Sequence, residues 1–342
     1  HDALPISLGN GWHHAYDMGV VADTEEGTLT LRMSDGIPVA FPLPTAKEPS
    51  FILSERKEAR LEQDGGYCVW DMAEDLYYRF THKEYDSVRL LESVTDCNGL
   101  GIRFDYTKEG LLRSITDSAG RRLRVEHDTR SGRILEICGP HPEDPEKEIT
   151  LASYEYDADG NMTLQRNAAG DVMTYEYAGR LIVKETWRNG LAWYFEYDGT
   201  GVGSHCVHTW GDGGIYDHRL TFREGVTEVL DSHEKLTVYH HRGGLVWKKV
   251  DANGGEHLWR YDDSRRLLAQ TDPLGNSTLY RYDRWGNCTD SSDPCGGSVS
   301  AVYPVRGNLR NRPVSVTTPD GGTWEFGYDR SGNLVSRTNP DR

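Results

Sequence analysis

The sequence predicts an all-β protein, a continuous antiparallel sheet of short tandem hairpins, twisted and curved in the usual sense. Three observations lead there. The phrase Tyr-Asp-x-x-Gly-Asn occurs three times, at residues 156–161, 282–287 and 328–333. Aromatic-x-aromatic phrases recur at a nearly fixed interval. Turn signals built on Asp or Asn followed by Gly fall about every ten residues, the spacing of short antiparallel strands.

Composition agrees. The 342 residues include 37 Gly, 19 Tyr, 9 Trp and 7 Phe, with only 37% hydrophobic residues. No long segment carries apolar residues at helical spacing. The net charge is −16, which argues against a nucleic-acid partner, because phosphate binding needs basic groups. The six cysteines, at 68, 97, 138, 206, 288 and 295, are too few and too irregular for a disulfide scaffold. No run of about 18 apolar residues is present to span a membrane as a helix. Residues 1–7 match nothing downstream and read as a non-native or disordered start. The chain begins without Met, and Asn339-Pro340-Asp341-Arg342 closes where another strand is expected, so it reads as a stretch of a longer protein.

The interval is measured on the second aromatic of each phrase. Tyr156, Tyr177 and Tyr197 lie 21 and 20 apart; His240, Tyr261, Tyr282 and Tyr303 are spaced by 21; Tyr328 follows after 25. Phe222 fills the gap between Tyr197 and His240. Upstream, Tyr106 and His127 are also 21 apart, and the 29 residues from His127 to Tyr156 contain a proline-rich, acidic insertion at 139–148, expected to loop out of the array. A fixed period over more than two hundred residues is the signature of a repeat architecture. The organisation expected is a strand-rich opening segment at 8–95, followed by repeats over 96–342.

Each period has two turns. One follows the Tyr-Asp phrase. The other is typified by DPLGN at 272–276, DSAGR at 117–121 and DPCGG at 293–297. Asp or Asn opens such a turn by accepting backbone N–H groups, Pro pre-sets one φ, and Gly takes the positive φ. Between turns the strands alternate. In STLYRY, Thr278, Tyr280 and Tyr282 share one face, with Leu279 and Arg281 on the other. Repeat tyrosines are therefore expected to stack across hairpins, each pair stabilising by roughly 0.2–1 kcal/mol. The structural motif residues are Tyr156, Asp157, Gly160 and Asn161; Tyr282, Asp283, Gly286 and Asn287; and Tyr328, Asp329, Gly332 and Asn333.

These phrases resemble the Rhs/YD-repeat family. GYDRSGNLVSRTNPDR at 327–342, YEYDADGNM and LYRYDRWGNC carry the resemblance, as does LGNGWHHAYDMGV at 8–20, which is similar to the opening of an Rhs core. The resemblance covers residues 8–342. It implies that the sheet is part of a hollow β-shell that shields a C-terminal toxin domain until delivery, through a type VI secretion apparatus or as an insecticidal toxin-complex subunit. Implied partners are the rest of the chain's own Rhs core, the enclosed toxin and secretion-apparatus proteins. The implied route is synthesis in the bacterial cytoplasm followed by secretion or delivery to a target cell; the alternative is a cell-surface location. The family's self-cleaving segment is not matched: Asp272-Pro273-Leu274-Gly275 starts like it but continues as an ordinary repeat.

Chemistry is expected to be absent. Residues 205–208 read HCVH, but zinc needs about four convergent ligands and alternation on a strand separates these. His13-His14 and His240-His241 fare no better. Asp157-Ala158-Asp159-Gly160-Asn161 lacks the third acid and the closing Glu of a calcium loop. No nucleophile elbow or phosphate loop occurs. The expectation is no enzyme, no catalytic residue, no metal and no cofactor. The competing reading is an extracellular carbohydrate-binding or adhesion module, with Trp187, Trp193, Trp210, Trp247 and Trp285 as glycan contacts.

Overall fold

The computed structural model describes residues 7–340 other than 86 and 202. Residues 1–6, most of the start read as foreign, lie outside the described residues. Ser7 is built into the fold: it is buried, and its carbonyl accepts the Ile134 N–H at 2.8 Å. Thirty strands and one short 3-10 turn make up the regular structure among the described residues, and the strand pairs are antiparallel. They form two compact units. One holds the chain up to Phe51 and Glu58–Ile215; the other holds Ile52–Lys57 and everything from Tyr216.

The first unit opens on a branch. Strand Val88–Thr95 pairs along one edge with Leu76–Tyr85. Its other edge is shared: Gly19–Asp23 pairs at Arg89 and Leu90, and Gly101–Tyr106 pairs from Ser93 to Thr95. From Gly101–Tyr106 onward each strand pairs with the next, through to Cys206–Gly211. The fully buried large side chains concentrate in the opening segment: Val20, Leu29, Leu31, Phe41, Val69, Trp70, Phe80 and Leu91. The less periodic part of the sequence is thus the part with a closed core. The second unit repeats the meander from Ile215–Arg223 to Leu334–Thr338.

In the repeats the two faces differ as alternation demands. Along Glu256–Tyr261 and Ser277–Tyr282 the aromatic face is half-buried, while Leu258, Arg260, Leu279 and Arg281 are exposed. The exposed face carries short hydroxyl rungs, Thr271 to Ser277 at 2.7 Å and Thr317 to Thr323 at 3.0 Å. The proline-rich excursion is shorter than its composition implies. Strands Ile134–Pro140 and Glu148–Tyr156 run into it and pair up to Pro140 and Glu148, leaving only 141–147 as loop, closed by His141 N–H to Lys147 O. The 25-residue interval before Tyr328 has a different cause: residues 303–314 form no strand.

Candidate functional site

The recurring Tyr-Asp hairpin is the unit from which any function here is built. In residues 156–161, the Asp157 N–H donates to Asn161 O at 3.0 Å, and Gly160 N–H returns to Asp157 O at 3.1 Å. The Asp157 carboxylate accepts from Asn161 N–H and from Asn161 Nδ2, both at 2.9 Å. The same bonds recur at Asp283/Asn287 and Asp329/Asn333. Gly160, Gly286 and Gly332 all hold positive φ, where a side chain is strained. Burial would raise the Asp157 pKa, but the Asn161 side-chain and backbone donors outweigh it and hold the carboxyl below its ordinary range. At Asp329 the Asn333 amide is the leading cause of the same lowering.

Each hairpin carries a bulge. The register shifts immediately before Tyr156, Tyr177, Tyr197, Tyr261, Tyr282 and Tyr328. Tyr282 faces Cys288 while Arg281 faces Asp290, so Thr289 is the extra residue. A bulge increases local twist and re-aims the side chain beside it. Here that side chain is the tyrosine, and its target corrects the expectation of ring-on-ring stacking. The Tyr282 hydroxyl donates to the backbone carbonyl of Leu267 at 2.8 Å, fifteen residues upstream. The same fifteen-residue reach takes Tyr106 to Leu91, Tyr177 to Met162, Tyr197 to Ile182, Tyr261 to Val246 and Tyr328 to Pro313. Tyr156, beyond the excursion, reaches Ile134 over 22 residues. Desolvation raises the pKa of Tyr106, Tyr156, Tyr177, Tyr197, Tyr282 and Tyr328, which keeps them as donors. An arginine ending the preceding loop lies over several of these rings: Arg133 over Tyr156, Arg266 over Tyr282 and Arg312 over Tyr328.

The closing Asn is a socket. Asn161 and Asn287 are 1% and 2% exposed, although Asn is ordinarily a surface residue. Each amide also donates to a carbonyl in the following loop: Asn161 to Gly179 at 3.2 Å, and Asn287 to Arg310 at 2.6 Å. Each side-chain oxygen accepts from a segment far away in sequence. In the first unit Asn10 Nδ2 reaches Asn161 Oδ1 at 3.1 Å and Asp159 O at 3.0 Å, and Asn10 N–H bonds Gly160 O. Trp12 follows, its Nε1 donating to Tyr177 Oη at 3.0 Å and its ring 4.8 Å from Tyr175. In the second unit Arg56 Nη2 donates to Asn287 Oδ1 at 2.7 Å. Sequence reasoning missed both dockings; the one available signal was the opening GNGW at 9–12, which no repeat contains.

The tryptophans proposed as glycan contacts sit in separate local settings. Trp187 and Trp247 are each 41% exposed. Trp187 pairs with Trp193 at 5.4 Å, and Trp247 lies 5.5 Å from His240. Trp210 stacks with Tyr194 and His208. Trp285 lies between Arg284 and Arg310 and donates to Val305 O at 3.1 Å. His205 and His208 face different carboxylates, Asp198 and Glu196, both at 3.1 Å. Among the described residues no three His, Cys, Asp or Glu side chains converge so as to hold a metal ion.

The repeats and the fold are shared with known proteins. Residues 67–216 match the teneurin YD-shell family, and residues 261–297 and 307–342 match the RHS repeat. The chain belongs to the RHS/YD-repeat family. A curated relative, the double-stranded DNA deaminase toxin A of Burkholderia cenocepacia (strain H111), is 27% identical over 232 residues, 60% of this chain. The chain spans only 16% of that toxin. Among solved structures, the Tc holotoxin pore of Photorhabdus luminescens matches with a TM-score of 0.55 at 12% identity, covering 92% of this chain and 19% of that one. TcdB2-TccC3 without its hypervariable C-terminal region matches at 0.54 and 13% identity, with coverage of 92% and 19%. The all-β RHS fold is thereby shown for both units' sequence. No helix among the described residues is long and apolar enough to cross a membrane, which says nothing about strands.

Proposed function

We propose that this chain is a stretch of an RHS shell that encloses a toxic polypeptide and shields the producing cell until delivery. The reading is supported above all by one observation: nearly the whole chain aligns in fold with a toxin-complex protein. The hairpin chemistry fits it. Tyrosine hydroxyls, bulges and Asn sockets tie each repeat to its neighbour, and in this reading they serve architecture rather than catalysis. The proposed partners are the remaining RHS core, a C-terminal toxin domain and the secretion-apparatus proteins that carry them, type VI among the candidate routes. Synthesis in a bacterial cytoplasm followed by delivery to a target cell is part of the same proposal.

The test is to read the gene on both sides and express the complete frame. A downstream frame that keeps the 21-residue period and then changes composition, with the new domain resistant to protease until the shell is unfolded, is the expected result. A stop codon soon after Arg342, with a signal peptide or surface anchor upstream, overturns it. That outcome would favour the binding module, for which the pairing of exposed Trp187 with half-buried Trp193 is the one specific observation.

A further inference from the structure

The segment 7–18 is held on the first unit at two ends. One end is the Asn10 and Trp12 docking on the hairpin loops. The other closes a cavity of about 30 Å³ lined by Ser7, His14, Tyr16, Asp17, Tyr106 and His127. Tyr16 also packs 5.0 Å from Phe104. At this end His14 Nδ1 accepts the backbone N–H of Tyr16 at 3.1 Å. That bond exists only while Nδ1 carries no proton.

The surroundings are poor in negative charge. Asp17 is the single carboxylate lining the cavity, and its Oδ2 already accepts from Ser7 Oγ at 3.2 Å and lies 3.4 Å from His13 Nδ1. His13 is itself 3.2 Å from Arg32 Nη2. His127 closes the site from strand Arg122–His127. The Tyr106 hydroxyl is committed to Leu91 O. Met18, Leu90, Leu111 and Leu112 complete the wall without charge.

We propose that this cluster is an acid-sensitive latch: protonation of His14 releases residues 7–18 from the sheet and uncovers the aromatic surface that Trp12 and Tyr16 cover. Desolvation holds His14 below its ordinary value; Asp17 opposes this, while His13 and His127 add to it. His127 is itself lowered by burial. The docked segment therefore binds fewer protons than the free one. Docking is complete above the ordinary histidine value of about 6.5 and weakens as the pH falls below it.

The test is hydrogen exchange by mass spectrometry on the whole chain at pH 7.5, 6.0 and 5.0, corrected for intrinsic rates. All three values lie above the ordinary carboxylate range of about 4. Protection of residues 8–18 is expected to fall about tenfold or more between pH 7.5 and 5.0, a loss of ~1.4 kcal/mol, while strand Met162–Asn167 keeps its protection. His14→Asn keeps a side-chain acceptor without a titrating proton, and should cut the pH dependence to the smaller part that His127 contributes. Where that variant fails to fold, His127→Gln removes a repelling neighbour and should blunt it. Constant protection of 8–18 in the wild type, an undiminished loss in either folded variant, or a loss shared by all strands each overturns the latch.

Discussion

Replacing Asn161 by Ala isolates the contribution of the socket. The side chain is 1% exposed and makes three bonds: to Asp157 Oδ2, to Gly179 O and from Asn10 Nδ2. Asn10 keeps its second acceptor, Asp159 O, but Gly179 O loses this donor. At a net 0.5–1.5 kcal/mol for each of the three bonds, the loss is about 1.5–4.5 kcal/mol. Asn276→Ala is the matched control. Asn276 makes the same amide bond to Asp272 Oδ2 at 2.8 Å but is exposed, so the expected loss is below about 1 kcal/mol. Urea unfolding followed by far-UV circular dichroism gives both values, and hydrogen exchange at residues 8–12 reports the docking directly. Equal losses in the two variants, or unchanged exchange at 8–12 in Asn161→Ala, would refute the claim that the buried Asn couples distant segments.

Four further outcomes follow from the same geometry. Tyr282→Phe keeps the ring and deletes the bond to Leu267 O, so it should cost about 1 kcal/mol in urea unfolding; pairing it with Tyr177→Phe should give additive losses, since the sites share no partner. Gly286→Ala meets both a positive φ of 79° and the Arg56 Cγ at 3.1 Å, whereas Gly296→Ala meets only φ of 88° with open space around it; Gly286→Ala should be the more destabilising by thermal melt. Phe80→Ala empties a fully buried site in the opening segment and should cost about 3–5 kcal/mol. Acid should weaken the hairpins: Asp157, Asp272 and Asp329 are held below their ordinary range, so their contribution is complete above about pH 4 and is lost as the pH falls through the lowered values. A pH titration of the melting temperature that stays flat from 5 to 2 would contradict this.

Much of the fold was legible because its determinants are local. Asp, Gly and Asn at fixed offsets dictate the turn by bonding within five residues, and alternation dictates the faces of strands such as Ser277–Tyr282. The tyrosine target was not legible. Its ring position follows from the strand, but the bulge at Thr289 that re-aims Tyr282 toward Leu267 depends on the register of a pair, which composition does not encode. The excursion was misjudged for a related reason. Prolines mark where a ladder loses a donor, yet Pro140 still pairs opposite Glu148 at the strand end. The sockets were the least legible, because Asn10 and Asn161 meet across 151 residues and no period links them. The opening core was equally hidden, since residues such as Phe41 and Trp70 carry no repeat signature.

The distance between Asn10 and its socket has a consequence in time. The bonds of Tyr282 or Tyr177 close within fifteen residues, so each hairpin forms soon after it leaves the ribosome. Asn10 emerges first of the two, and Asn161 is synthesised 151 residues later. At synthesis rates of about 5–20 residues per second, that is a wait of roughly 8–30 s. Throughout it Trp12 lacks Tyr175, and for its first part Tyr16 also lacks Phe104, so the nascent chain presents bare aromatic side chains. The docking that fastens the finished first unit is therefore also its longest period of vulnerability to wrong partners, and a natural point for a chaperone to bind.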